Sequence, residues 1–203
     1  MIRRLSLFIL AVMAVMPIFA QFRYAPTAGV EISSLNFKQD LIDIKSAPGL
    51  RAGVNGEYMF PGIGFGLDIG AYYSMCGAKV NLGQKLIWSA DGYGNDRVFL
   101  HYLEIPINLR FKWTRMQGLE EYIAPFVIGG PVFDFLLGHS NIKAMQYAGG
   151  TLGLRVGGGF ELYRKWQVQV AYTWGMTYAL KTVKLDNFSA RNKYLSIALA
   201  RYF

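Results

Sequence analysis

From Leu103 to Trp113 every second residue is apolar (Leu103, Ile105, Ile107, Leu109, Phe111, Trp113), while Tyr102, Glu104, Pro106, Asn108, Arg110 and Lys112 are mostly polar or charged. A period of two predicts a strand with one apolar and one polar face. The alternation runs roughly twice the five or six residues of an ordinary strand, the length that crosses a bilayer at a tilt of about 45°. Taken alone it fits a membrane barrel or a soluble sandwich.

Seven further segments carry strand signals. Ala28–Phe37 comes first. Leu50–Phe60 sets Leu50, Ala52, Val54 and Tyr58 against Arg51, Gly53, Asn55 and Glu57, and Ile63–Met75 sets a fully apolar face against a small one containing Asp68. Glu121–Leu137 contains Pro125 and Pro131, each lacking a ladder donor, so a bulge or an early end is expected there. Gly149–Leu162 places Arg155 and Glu161 opposite Leu154 and Val156, Trp166–Met176 aligns Trp166 and Trp174 on one face, and Lys193–Phe203 closes the chain.

The connections alternate in length. Residues 38–49, 77–97, 138–148 and 177–192 are long; Pro61-Gly62, Thr114–Glu120 and Tyr163–Lys165 are short. An even strand number, short turns on the side of the termini and long loops on the other are the marks of an outer-membrane barrel. The expected fold is therefore all-β, an eight-stranded antiparallel up-and-down transmembrane β-barrel.

Composition agrees with this reading. Arg3 and Arg4, an apolar run from Leu5 to Phe19 and Ala20 predict a secretory signal over residues 1–20, leaving 21–203 as one barrel domain. Hydrophobic residues make up 53% of the chain, yet no apolar run after the leader approaches the roughly 20 residues of a spanning helix. Aromatic girdles and glycines at crowded inner walls account for 15% aromatic residues and 23 glycines. Without Arg3 and Arg4 the formal charge falls from +8 to +6, which suits an anionic membrane surface; export argues against a nucleic-acid partner. Cys76 is the single cysteine, so no internal disulfide is possible.

The segments AGVEISS, YLEIPINLRF, APFVIGGPVFDFLL and GLRVGGGFEL, with a terminal strand ending on Tyr202-Phe203, resemble the PorT-like outer-membrane β-barrel proteins along the whole mature chain. That resemblance implies an outer-membrane location and an interaction, surface-assembly or secretion-associated role, without assigned chemistry. Tyr202 and Phe203 look like the C-terminal signal read by the barrel insertion machinery. Arg201 departs from the usual apolar residue of that signal. The partners expected are outer-membrane lipid, the insertion machinery, and an envelope or extracellular protein met by the external loops.

The polar faces gather Arg51, Glu57, Asp68, Glu104, Arg110, Lys112, Arg155 and Glu161. Eight strands enclose a space just wide enough for side chains, so these charges are expected to pair and plug the lumen, with Glu104 meeting Arg110, Arg51 or Arg155. A wide solute pore is excluded; an ion or proton path through the same charges is an alternative. His139-Ser140, with Asp134 nearby, raises a lipid hydrolase as another, although adjacent loop residues do not make a triad. His101 is expected at the membrane interface. Two histidines and one cysteine make no tetrahedral metal set, and Gly157-Gly158-Gly159 lacks the Lys-Ser/Thr and helix of a phosphate loop. No catalytic, cofactor or metal residue is expected. A soluble lipocalin-like carrier, with the apolar face inside, is the remaining architecture.

Overall fold

The computed structural model describes residues 21–38, 43–62, 64–81, 83, 94–140, 142, 145–182 and 189–203. The leader, Ile63 and the turn signals at Asp91-Gly92 lie outside the described residues. The strands are β1 (Gln21–Phe37), β2 (Ile44–Met59), β3 (Phe65–Asn81), β4 (Asn95–Lys112), β5 (Ile123–His139), β6 (Met145–Tyr147), β7 (Gly150–Leu162), β8 (Trp166–Gly175), β9 (Leu180–Thr182) and β10 (Ser189–Arg201). Eight of them, all but the three-residue β6 and β9, form an antiparallel meander, and β1 pairs with β10 from Thr27↔Ala200 to Phe37↔Ala190 to close it. Closure removes both sheet edges.

Apolar residues of the alternating pattern face outward. Val30, Ile32, Leu50, Val54, Ile69, Leu109, Val156 and Leu199 are exposed, while Arg51, Glu57, Glu104, Arg110 and Arg155 are buried inside. That is the reverse of a soluble carrier. Two aromatic belts bound the apolar surface. Near the termini Tyr24 stacks on Phe203, Phe111 packs on Phe65 and Trp113, and Tyr122 meets Tyr163; at the far end Tyr73 stacks on His101 and Tyr172 meets Trp174. Arg201 lies against Trp166 and Phe203 in the lower belt, a charge held at an interface.

The strands are longer than the pattern predicts. β1 starts at Gln21 instead of Ala28, β2 at Ile44 instead of Leu50, and β3 runs on to Asn81. The two prolines of β5 neither end the strand nor bulge it. The pairing of β5 with β4 lapses between Pro106↔Val132 and Leu109↔Gly129, opposite Pro131, and the irregular register lies instead at Leu137, between His101 and Tyr102. At the lapse Gly130 allows close backbone approach, since a Cβ there would sit 2.1 Å from the Ile107 carbonyl oxygen. A second irregularity falls in β2 between Ser46 and Arg51.

Beyond the upper aromatic belt the polarity of the wall reverses. Lys45, Lys79, Arg97 and Lys181 face outward, and Leu35, Phe37, Cys76, Val80, Val98 and Leu100 face inward into one apolar cluster. The short strands β7 and β8 do not reach this height; β9 pairs with β10 and with β6 to continue the wall, delivering Leu180 and Met145 to the cluster. Residues 138–148 and 177–192, expected as external loops, thus contain wall segments. At the other end a 3-10 turn, Leu119–Glu121, links β4 to β5. Glu120 accepts the N–H groups of Met116 and Gly118, and backbone donors, its own first, hold its carboxyl below the usual range.

Candidate functional site

The lumen between the two belts is filled by two ion-pair clusters. The lower one is built around Glu57 of β2 and Glu161 of β7. Arg23 of β1 bridges them at 2.5 and 2.6 Å, and Lys112 of β4 bridges them again at 2.7 and 2.6 Å. Arg110 reaches Glu57 at 2.7 Å and Asp68 at 2.5 Å, donates to Gln167, and lies on the Phe126 ring. Six strands, β1 to β4, β7 and, through Gln167, β8, are tied together by charge-assisted bonds.

The upper cluster centres on Glu104 of β4. One carboxylate oxygen accepts Nε and Nη2 of Arg51 and Nη1 of Arg155; the other accepts Nη2 of Arg155 and the hydroxyl of Tyr194. Both guanidiniums have further support. Arg51 stacks on Tyr72 at 3.5 Å, and Arg155 donates Nε to Thr173. Tyr72 can lie flat across the lumen because the neighbouring inward position is Gly70, where a Cβ would come within 2.2 Å of its ring. Between the clusters Tyr72 donates to Asn55, and Asn55 donates to Tyr202.

All eight lumen residues read from the sequence lie inside, but their partners are more selective than expected. Glu104 takes Arg51 and Arg155, whereas Arg110 belongs to Asp68 and Glu57. Arg23, Glu31 and Asp134 were not among the expected lumen charges. Arg23 was missed because β1 begins seven residues earlier than its apolar alternation; Glu31 and Asp134 were legible by parity, since Val30, Ile32, Phe133 and Phe135 face outward. Glu31 accepts Ser74 Oγ at 2.6 Å and lies 3.6 Å from Arg51, and Asp134 accepts Thr151.

The arrangement does not favour acyl chemistry at His139-Ser140. Ser140 Oγ accepts the Phe99 N–H, and the His139 ring stacks on Tyr147 with Nδ1 at 3.0 Å from the backbone oxygen of Ser140. Asp134 lies inside the wall, where it accepts the Thr151 hydroxyl. His101 forms a 2.6 Å hydrogen bond with the Tyr73 hydroxyl in the upper belt. Tyr202 faces the lumen, and Phe203 donates its N–H to the Tyr24 carbonyl, so both terminal aromatics are built into the closing seam.

A closed antiparallel barrel with an apolar outer belt, aromatic rims and a charged lumen is an integral outer-membrane protein. The chain belongs to the outer membrane protein beta-barrel domain family, whose model matches residues 19–181. Among solved structures it is similar to the outer membrane protein OprG from Pseudomonas aeruginosa, with 14% identity, a TM-score of 0.52, and 90% of this chain and 95% of that one covered. It is also similar to Ail, the attachment invasion locus protein of Yersinia pestis, with 14% identity, a TM-score of 0.49 and coverage of 90% and 99%. Neisserial surface protein A matches with 14% identity, a TM-score of 0.48 and coverage of 91% and 99%. No curated protein matches the sequence.

Proposed function

We propose that the protein works as a closed, non-conducting outer-membrane barrel that presents its external rim to an envelope or extracellular protein, in the manner of the PorT-like proteins its strands resemble. The observation that carries this reading is the double obstruction of the lumen, by the ion pairs around Glu57 and Glu104 and then by the apolar cluster above them. Ions crossing the barrel would have to displace buried charge pairs and then pass the apolar cluster, whose side chains offer little to replace their hydration. On this reading the barrel is neither an enzyme nor a conduit, and its contact surface is the rim. Purified protein in planar bilayers is expected to show no discrete conductance steps. Steps that disappear in Glu104→Gln would replace this reading with that of a small ion conduit.

A further inference from the structure

Three cations stand side by side on the outside of the rim. Lys45 of β2 is in direct register with Lys79 of β3, and Lys79 is in direct register with Arg97 of β4. All three are exposed and face away from the lumen. Among the described residues none of the three forms an ion pair. Like charges directly opposite one another across strands repel, so a row of three cations without a salt bridge among the described residues is an unfavourable way to finish three neighbouring strands. The side chains border an open cleft of about 460 Å³ that Asp43, Val80, Asn81 and Asn95 also line. Asp96 borders it from the other side of the wall, since its register partner is the inward-facing Val80.

The height of the row identifies its counter-charge. On β3 the outward apolar series ends at Met75, and Lys79 is the second outward position beyond it. At about 3.4 Å per residue and a tilt near 40°, the row stands roughly 10 Å above the edge of the apolar belt. Lysine and arginine stems can reach back from there to the headgroup layer, which is about 5–8 Å thick. We propose that Lys45, Lys79 and Arg97 form a binding site for the phosphate groups of a phosphorylated glycolipid in the outer leaflet. The row is a ladder of donors spaced at the strand separation of about 4.8 Å, suited to a headgroup with more than one phosphate.

The test uses the full barrel in neutral detergent micelles titrated with bis-phosphorylated lipid A, bound lipid being counted by native mass spectrometry. Removal of one headgroup-facing cation is expected to weaken binding about fivefold and removal of all three about a hundredfold. Lys79→Gln and the combined Lys45→Gln, Lys79→Gln, Arg97→Gln chain should follow that order, with Lys45→Arg and the distant Lys165→Gln at wild-type affinity. Heat-modifiable gel mobility verifies folding, and the single Lys79→Gln variant decides the matter if the triple variant fails that check. Equal binding by wild type and variants, or equal binding of dephosphorylated lipid A, overturns the proposal. Binding of a soluble sulfated polysaccharide at the row without any binding of lipid A overturns it too, since the occupant would then be a soluble polyanion. Channel recordings have no bearing on this result, which depends only on the outer surface.

Discussion

Glu104 holds two guanidiniums and a phenol with its two oxygens, and all of these groups are buried. Its replacement by glutamine would keep the shape and remove the charge, leaving Arg51 and Arg155 buried side by side with Glu31, 3.6 Å from Arg51, as the carboxylate still beside them. Breaking a buried pair from one side costs about 3–5 kcal/mol. Glu104→Gln is therefore expected to lower the urea midpoint of micelle-embedded protein while leaving membrane insertion intact, and a second change, Arg155→Met, should restore part of the loss. An unchanged midpoint in the single variant would show that the network contributes nothing to stability. The inward direction of Glu104 could be read from its neighbours Leu103 and Ile105. Its choice of Arg51 and Arg155 over Arg110 could not, because that choice depends on how β2, β4 and β7 are staggered around the barrel. Arg110 is six residues from Glu104 along the same strand, about 20 Å at an extended rise.

Alternation is easy to read in an element when lipid imposes it on each strand separately, which is why the faces of β2, β3, β4, β7, β8 and β10 follow the sequence pattern. Prolines mislead at this scale. Pro106 and Pro131 sit where ladder pairings lapse on one side, and the opposite side of each strand remains bonded, so neither breaks its strand. The strand extensions were hidden for a different reason: above the upper belt the apolar residues change sides, and a segment such as Gly77–Asn81 reads as polar loop although it is wall. The tight turn between β7 and β8 carries its own tension. Tyr163 and Arg164 have φ values of 52° and 57°, with Lys165 N–H bonded to the Leu162 carbonyl, the geometry of a type I′ turn that favours Asn-Gly. A non-glycine residue in that region costs about 1–2 kcal/mol, whereas the exposed Arg164–Glu121 pair contributes about 0–1 kcal/mol. Arg164→Gly should raise the thermal unfolding temperature in micelles; a fall would mean that the arginine side chain matters more than its backbone.

At the scale of the whole molecule, the barrel joins two chemistries in one wall, polar inside apolar below and apolar inside polar above. Cys76 lies at the junction, buried between Ser74 and the apolar cluster. As the single cysteine it reports on the seal. In intact cells it is expected to resist a membrane-impermeant maleimide and to react only after the barrel is unfolded; rapid labelling of folded protein would show water reaching the lumen from outside. The reversal of polarity also acts as a depth stop. If the barrel sank, Lys45, Lys79 and Arg97 would approach hydrocarbon together, where one such residue at the midplane costs about 2–4 kcal/mol. If it rose, outward leucines and isoleucines would leave lipid for water at about 25 cal/mol per Å². Motion along the membrane normal is uphill in both directions, so in a bilayer of another thickness the surrounding lipid must stretch or compress to meet the protein.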